Sequence, residues 1–166
     1  MLGFLFRGLT AEPARGALLF DALTAEARRP GWYVEGEVPD TLDGRFAVLA
    51  TLTAITIGRL EREGEPGHAG SIALTERFIE VMESEHRELG LGDPTLGKTV
   101  RKLVGMLGKR VELWRDTPDL REATRESLYK NGVSDVARDY SATLLRSLRD
   151  RIAASPIDRL MNGDIA

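Results

Sequence analysis

Helical periodicity constrains the fold of this chain more than any other feature of its sequence. From Leu96 to Trp114, apolar residues return at three- and four-residue spacing, which is typical of an amphipathic helix. The opposite face of the same stretch carries the basic residues Lys98, Arg101, Lys102 and Lys109. Alternating patterns of the kind that predict strands are nearly absent from the chain. The sequence therefore predicts an all-α fold.

Breaks in this periodicity divide the chain into about six to seven helices. We predict helices near residues 11–28, 41–63, 70–89, 94–114, 118–130, 134–154 and 156–162. Three starts pair a capping residue with a proline, because the side-chain oxygen can accept a free amide hydrogen of the first turn while proline lacks that hydrogen. These pairs are Asp93-Pro94, Thr117-Pro118 and Ser155-Pro156. Gly64 and Gly90 lie where a left-handed residue is expected to end a helix.

The connections are short, so we expect one irregular helical bundle over residues 1–166. The linkers Gly64–Gly70 and Arg115–Asp116 leave no room for a second domain. A chain of 166 residues is also large enough to bury a substantial core. The helices predicted over residues 118–162 are expected to pack on the part that precedes them.

Composition excludes several functional classes. The net charge of −3 gives no global signal for nucleic-acid binding, so we expect no sequence-specific nucleic-acid partner. The chain has no cysteine, which excludes disulfides and thiolate chemistry. Met1–Leu9 lacks the flanking features of a signal peptide, and the longest apolar stretch, Phe46–Ile57, is too short to span a bilayer. We expect a bacterial cytoplasmic protein, or one attached peripherally to the inner face of the cytoplasmic membrane.

Two segments combine turn-forming residues with large side chains and paired charges. They are Arg28–Phe46 and Met82–Lys98, and neither contains an arrangement of serine, cysteine or histidine that suggests nucleophilic catalysis. No glycine-rich phosphate loop follows a predicted strand. We therefore predict no catalytic, cofactor-binding or metal-binding residues. The pattern favours recognition of another protein.

The residues of these segments resemble the motifs of the ubiquinol–cytochrome c chaperone family. The first motif is similar to Arg28, Pro30, Trp32, Tyr33, Val38, Pro39, Asp40, Thr41, Gly44, Arg45 and Phe46. The second is similar to Arg87, Glu88, Gly90, Leu91, Gly92 and Asp93, and a following Gly-Arg pair corresponds to Gly108-Lys109-Arg110. The resemblance covers residues 18–115.

The resemblance implies an assembly chaperone that binds newly synthesised cytochrome b and supports assembly of the cytochrome bc complex, complex III. It implies no cofactor and no catalysis. The implied partners are cytochrome b as client, a ribosome or an anionic membrane surface, and a small helper subunit. We expect the client in a groove between the helices that follow Asp40 and Asp93. The candidate client-binding residues are Trp32, Tyr33, Pro39, Asp40, Arg45, Phe46, Arg87, Glu88, Leu91 and Asp93.

Several of these residues have a structural interpretation beside the functional one. Asp40 can cap the following helix, and Arg45 is expected to be buried or half-buried, bonded to a carboxylate or to helix-end carbonyls. Trp32 and Tyr33 are equally consistent with core residues and with interface anchors. Leu91 lies between two glycines, so its exposure would indicate a contact site.

The basic residues Lys98, Arg101, Lys102 and Lys109, here called the basic stripe, lie in a segment of six basic residues and one acidic residue from Lys98 to Arg115. The preceding segment, Glu61 to Asp93, has nine acidic and three basic residues. Such a stripe is either a solvated face or a docking surface for ribosomal RNA, anionic lipid or an acidic protein.

Two other functions are compatible with the sequence. A metal-dependent helical-bundle enzyme would use the Glu-x-x-His pairs Glu65–His68 and Glu83–His86, although Pro66-Gly67 is expected to keep the first pair off a helix. A generic adaptor with a different client is the other. It is suggested by Thr51-Leu52-Thr53, without a histidine, where the family pattern has a Leu-His pair, and by Met106 and Leu107 where it has aromatic residues.

Overall fold

The computed structural model describes residues 14–166, and these residues form seven α-helices and no strand. The helices are α1 (Ala14–Ala27), α2 (Leu42–Leu60), α3 (Gly64–Glu88), α4 (Asp93–Arg115), α5 (Leu120–Leu128), α6 (Asp135–Ala154) and α7 (Ile157–Met161). Single turns of 3₁₀ helix occur at Pro30–Trp32 and Glu61–Glu63. The predicted all-α, single-domain class is confirmed. The first residues of the helix predicted over 11–28, and Met1–Leu9, lie outside the described residues.

Helix α2 is the centre of the bundle because it is apolar on nearly every side. All residues from Ala50 to Ile57 are buried, and the helix contacts α1, α3, α4, α5 and α6. Its threonines are tolerated there because hydroxyls can bond within the helix, as Thr51 Oγ1 does to the Ala47 carbonyl at 2.7 Å and Thr56 Oγ1 to the Leu52 carbonyl at 2.8 Å. Within residues 14–166, no helix combines the length and apolar character that a membrane crossing requires.

One hydrophobic core joins the elements around α2. Phe78 of α3 packs edge-on to Phe20 of α1, with ring centroids 6.4 Å apart, and lies 6.0 Å from the ring of Phe46. The same core includes buried residues of α6, among them Leu145 and Leu148. The C-terminal helices thus contribute side chains to the core that also holds the two motif segments.

The predicted capping residues are wrong at each of the three proline-marked starts. Asp93 is itself helical and makes no capping hydrogen bond, and Gly92 precedes the helix. Asp119, two residues after Thr117, caps α5 by accepting from the amides of Arg121 and Glu122. Ser155 ends α6 and donates to the Arg151 carbonyl. Proline sets the approximate position of a start, whereas the capping residue depends on which oxygen reaches the free amides.

The start of α3 is also earlier than predicted. Pro66 and Gly67 lie in the first turn of α3, where amide hydrogens have no partner within the helix, so proline costs no hydrogen bond there. Gly67 is required because a Cβ at this position would overlap the Leu60 carbonyl oxygen. Gly64 has φ of 67°, as expected of a left-handed residue after α2. The segment predicted as the linker Gly64–Gly70 is therefore helical.

Candidate functional site

The aromatic pair of the first motif divides between core and surface. Trp32 has no exposed area, and its Nε1 donates to the Glu26 carbonyl at 3.0 Å. Tyr33 is half-buried, and its hydroxyl donates to the Ala27 carbonyl at 2.7 Å. Both side chains tie the loop to the end of α1. Trp32 is a core residue with no surface to offer a partner, whereas Tyr33 retains an exposed side.

The start of α2 differs from its predicted arrangement. Thr41 is the capping residue, with Oγ1 accepting from the Gly44 amide at 3.1 Å. Asp40 instead accepts from Arg45 Nε at 2.7 Å. This hydrogen bond and the arginine charge hold the pKa of the Asp40 carboxyl below its usual range. The predicted carboxylate partner of Arg45 is confirmed, but its predicted burial is wrong because the Arg45 side chain is 65% exposed.

Arg110 has the half-buried position that was predicted for Arg45. Its guanidinium donates to the Ser127 carbonyl at 2.7 Å and the Met106 carbonyl at 3.1 Å, and it lies 5.9 Å from the centre of the Phe46 ring. Burial lowers the pKa of Arg110. The burial of Arg110 could have been predicted from its place on the helix. It lies three residues after Leu107, beside the apolar face of α4 and away from the basic stripe.

An apolar groove of about 530 Å³ lies where the two motif segments meet. Its walls come mainly from the end of α1, the start of α2 and the end of α3. The apolar lining residues are Ala27, Tyr33, Leu42, Phe46, Leu49, Met82, Leu89 and Leu103. Leu42 is 71% exposed and Leu89 is 63% exposed, which is unusual for large apolar side chains that lie beside one cavity.

Charged and polar groups share the lining of the groove with these apolar side chains. They include Arg28, Asp43 and Arg45, together with Glu85, His86 and Glu88 from the end of α3. Arg28, Glu85 and Glu88 form no ion pair with another residue in the range 14–166. A polar rim around an apolar centre is the usual anatomy of a surface that binds another protein.

The structure brings some of the predicted binding residues together and leaves others apart. Tyr33, Arg45, Phe46 and Glu88 line the groove. The other exposed candidates do not line it: Pro39, Asp40, Arg87 and Asp93. Leu91 is only half-buried and lies outside the lining, whereas Leu89, two residues earlier, is the exposed leucine of the second motif.

The position of this groove differs from that of the predicted client groove. It was expected between the helices that follow Asp40 and Asp93, which are α2 and α4. The cavity instead lies among α1, α2 and α3, and only Leu103 comes from α4. Sequence reasoning missed Leu42 and Leu89. Both are apolar residues at helix ends, next to the acidic residues Asp43 and Glu88. An apolar residue beside a charged one at a helix end was the sequence feature that could have indicated their exposure.

Both Glu-x-x-His pairs considered for a metal lie in α3, so the expectation that Pro66-Gly67 keeps Glu65 and His68 off a helix is wrong. His86 Nδ1 lies 2.8 Å from the Met82 carbonyl oxygen, a contact that requires the proton on Nδ1. Glu80, three residues before Glu83, forms an ion pair with Arg77. In the part of the chain that the structure describes, no three metal-ligating side chains of His, Asp or Glu come together.

All four residues of the basic stripe are exposed on α4. None of them forms an ion pair with another residue between 14 and 166. Gly105 and Gly108 are also exposed on α4, and a Cβ at either would meet open space. The face is thus positively charged and free of bulky apolar groups.

Comparisons with known proteins give a family match and a similar fold. A sequence model of the family described as ubiquinol-cytochrome C chaperone matches residues 35–165, so the similarity continues well past residue 115, where the recognisable motifs end. The crystal structure of the Cbp3 homolog from Brucella abortus is similar in fold, with a TM-score of 0.73 and 23% identity, covering 100% of this chain and 96% of that chain. A search of curated proteins found no match.

Proposed function

Because the chain belongs to the ubiquinol–cytochrome c chaperone family and is thereby a chaperone of complex III assembly, we propose that its client is newly synthesised cytochrome b. The chain holds this client in the groove between α1, α2 and α3. No chemical step is needed, since the protein acts by favouring a client state that can still fold and take up haem.

The observation that carries this proposal is the convergence of the two motifs on one apolar groove. The first motif contributes Tyr33, Arg45 and Phe46 to its lining, and the second contributes Glu88. Phe46 and Glu88, the members of these two sets closest in sequence, are 42 positions apart. Exposed Leu42 and Leu89 add apolar area that the folded chain leaves uncovered.

The chemistry of the groove suits an immature membrane protein. Cytochrome b without haem exposes apolar helices and unoccupied haem-ligand positions. An apolar helix can place side chains spaced three and four residues apart into such a groove. The arginine and glutamate side chains at the rim can then orient its polar end. Covering this surface lowers the population of client molecules that can aggregate.

A pair of matched variants tests the client site. Leu42→Asp places a charge in the groove, whereas Val136→Asp places the same charge on a residue that is 82% exposed and lies outside it. Both positions are in the first turn of a helix, where an acidic residue is favourable, so both variants should fold. We expect Leu42→Asp to weaken cytochrome b binding at least about tenfold and Val136→Asp to leave it unchanged.

The measurement is the amount of cytochrome b that co-purifies from membrane extracts, together with the level of assembled complex III. Equal binding by the two variants would contradict the location of the site. Wild-type complex III levels in a clean deletion strain would contradict the function itself. Capture of a different apolar client in place of cytochrome b would favour a generic adaptor.

The basic stripe supports a second contact of the same chaperone. Four cations without ion-pair partners in residues 14–166 fit an anionic surface such as a ribosome or a membrane leaflet. This contact would hold the chain where its client is made, while the groove holds the client.

Stoichiometric iron or manganese in protein purified without chelators would instead favour the metal-dependent enzyme.

A further inference from the structure

A second, smaller cleft lies at the other end of α2 from the groove. Its volume is about 180 Å³, and Ala54, Ile55 and Gly58 of α2 form one wall. The charged residues of its lining are four arginines and one carboxylate. They are Arg59, Arg62, Arg115, Arg149 and Asp150. An excess of guanidinium groups around a small cleft points to an anionic ligand.

Arg59 and Arg62 neutralise the helix ends that meet at this cleft. Arg59 Nε donates to the Ile152 carbonyl at 3.1 Å and Nη2 to the Ser155 carbonyl at 3.2 Å, at the end of α6. Arg62 Nη2 donates to the Arg115 carbonyl at 2.6 Å, at the end of α4. These bonds offset the negative ends of both helices, which would otherwise repel an anion.

The carboxylates that pair with these arginines lie outside the lining of the cleft. Glu63 pairs with Arg59, and Glu61 pairs with Arg115 at 2.9 Å, but neither glutamate lines the cavity. Asp150 is the acidic residue that does line it, and it is exposed. The inner surface therefore keeps a net positive charge after the internal pairs have formed.

Arg149 differs from the other three arginines. It is half-buried, yet its side chain makes no hydrogen bond or ion pair with any other residue of the range 14–166. A guanidinium group offers five N–H donors in a planar fork that suits an oxyanion. Its neighbours Arg59 and Arg115 are already engaged, so Arg149 supplies the free donors of the cleft.

We propose that this cleft binds a single oxyanion group of the phosphate type, with Arg149 as its principal donor and Arg62 beside it. The cleft is smaller than the roughly 300–1,000 Å³ pockets that hold drug-sized ligands. It therefore suits one tetrahedral group rather than a nucleotide. Free phosphate and the phosphate of a lipid headgroup share this chemistry. The proposal does not depend on the identity of the client.

The first test measures binding of inorganic phosphate to the full chain by calorimetry, with ionic strength held constant by potassium chloride. Arg149→Gln removes one positive charge from the cleft, and Arg146→Gln removes one from an exposed residue of α6 that does not line it. We expect Arg149→Gln to weaken binding at least about tenfold and Arg146→Gln to have little effect. Because the Arg149 side chain makes no hydrogen bond or ion pair within residues 14–166, its variant should retain the helical content of the wild type.

Trp114 gives an independent readout, because it lines the cleft whereas Trp32 has no exposed area. Phosphate should shift the indole N–H resonance of Trp114 and leave that of Trp32 in place. No phosphate binding at millimolar concentration, or equal weakening by both arginine variants, would overturn the proposal.

A second arm separates the two sources of the ligand. Vesicles of phosphatidylcholine with and without phosphatidylglycerol are sedimented with the wild type and with Arg149→Gln. Loss of sedimentation in the variant, reversed in the wild type by added phosphate, assigns the site to a lipid headgroup. Phosphate binding that depends on Arg149 without any vesicle effect assigns it to free phosphate. Both results support an oxyanion site.

Discussion

Thr41 and Asp40 have separate tasks at the start of α2. Thr41 satisfies the free amide of Gly44, and Asp40 bonds to Arg45 across the first turn. Gly44 is needed because a Cβ there would overlap the Pro39 carbonyl oxygen. The Pro39–Arg45 corner is therefore rigid in backbone, while its ion pair lies in solvent, where such pairs add little stability.

This division predicts different effects of two alanine substitutions. Thr41→Ala should lower the free energy of unfolding by about 1 kcal/mol, because it leaves a helix-start amide without its acceptor. Asp40→Ala should have a smaller effect, because it removes only an exposed pair. Urea denaturation at neutral pH measures both. A larger loss for Asp40→Ala would mean that aspartate, not threonine, is the cap.

Helix α4 separates its cations by role at the scale of the element. Arg110 points into the bundle, where its guanidinium donates to two carbonyl oxygens and lies over the Phe46 ring. Three of the four lysines of the chain, Lys98, Lys102 and Lys109, lie instead on the exposed basic stripe. Arginine suits the buried position because its planar group bonds several acceptors at once, and hydrated lysine suits a surface that acts through charge.

Charge reversal tests the basic stripe as a docking surface. The triple variant Lys98→Glu, Lys102→Glu, Lys109→Glu should retain its helical circular dichroism, because these side chains make no ion pair within residues 14–166. It should lose salt-sensitive co-sedimentation with ribosomes or with anionic vesicles. The matched triple Lys→Arg variant keeps the charge and should sediment as the wild type does. Unchanged sedimentation of the Glu variant at low salt would exclude the docking role.

At the scale of the whole molecule, Tyr129 connects the first motif to the C-terminal helices. Its hydroxyl lies 2.6 Å from the Gly36 carbonyl oxygen and 2.7 Å from Ser141 Oγ, and burial raises its pKa. Gly36 fits closely here, since a Cβ would lie 2.6 Å from Ser141 Oγ. The loop between α1 and α2, which leads into the groove, is thus connected through Tyr129 to Ser141 of α6.

Removal of this hydroxyl should therefore destabilise the fold more than a chemically identical change nearby. Tyr129→Phe leaves the buried Gly36 carbonyl and Ser141 without a partner, at a cost of about 1–3 kcal/mol. Tyr140→Phe removes a hydroxyl that makes no hydrogen bond to the rest of residues 14–166, so its effect should be small. Thermal denaturation compares the two. Hydrogen exchange of the loop amides should rise only in Tyr129→Phe, and similar behaviour of both variants would contradict the proposed connection.

Much of this protein is determined by local sequence. Apolar spacing predicted the helices, the exposed basic stripe and the α4 face correctly, because each depends on residues one or two turns apart. The two motifs predicted the family, which the match over residues 35–165 confirms. Gly64 and Gly90 were recognised as left-handed because few other residues adopt that conformation.

Tertiary structure decided which residues are buried and which meet. Arg45 and Arg110 are both arginines beside apolar residues, but only Arg110 has two neighbouring helices, α2 and α5, to supply acceptors and an aromatic ring. Leu89 rather than Leu91 is exposed, because the chain turns at Gly90. The groove depends on α1 and α3 approaching the start of α2 across long sequence separations. Periodicity within a helix carries no information about that approach, because it is set by packing between helices.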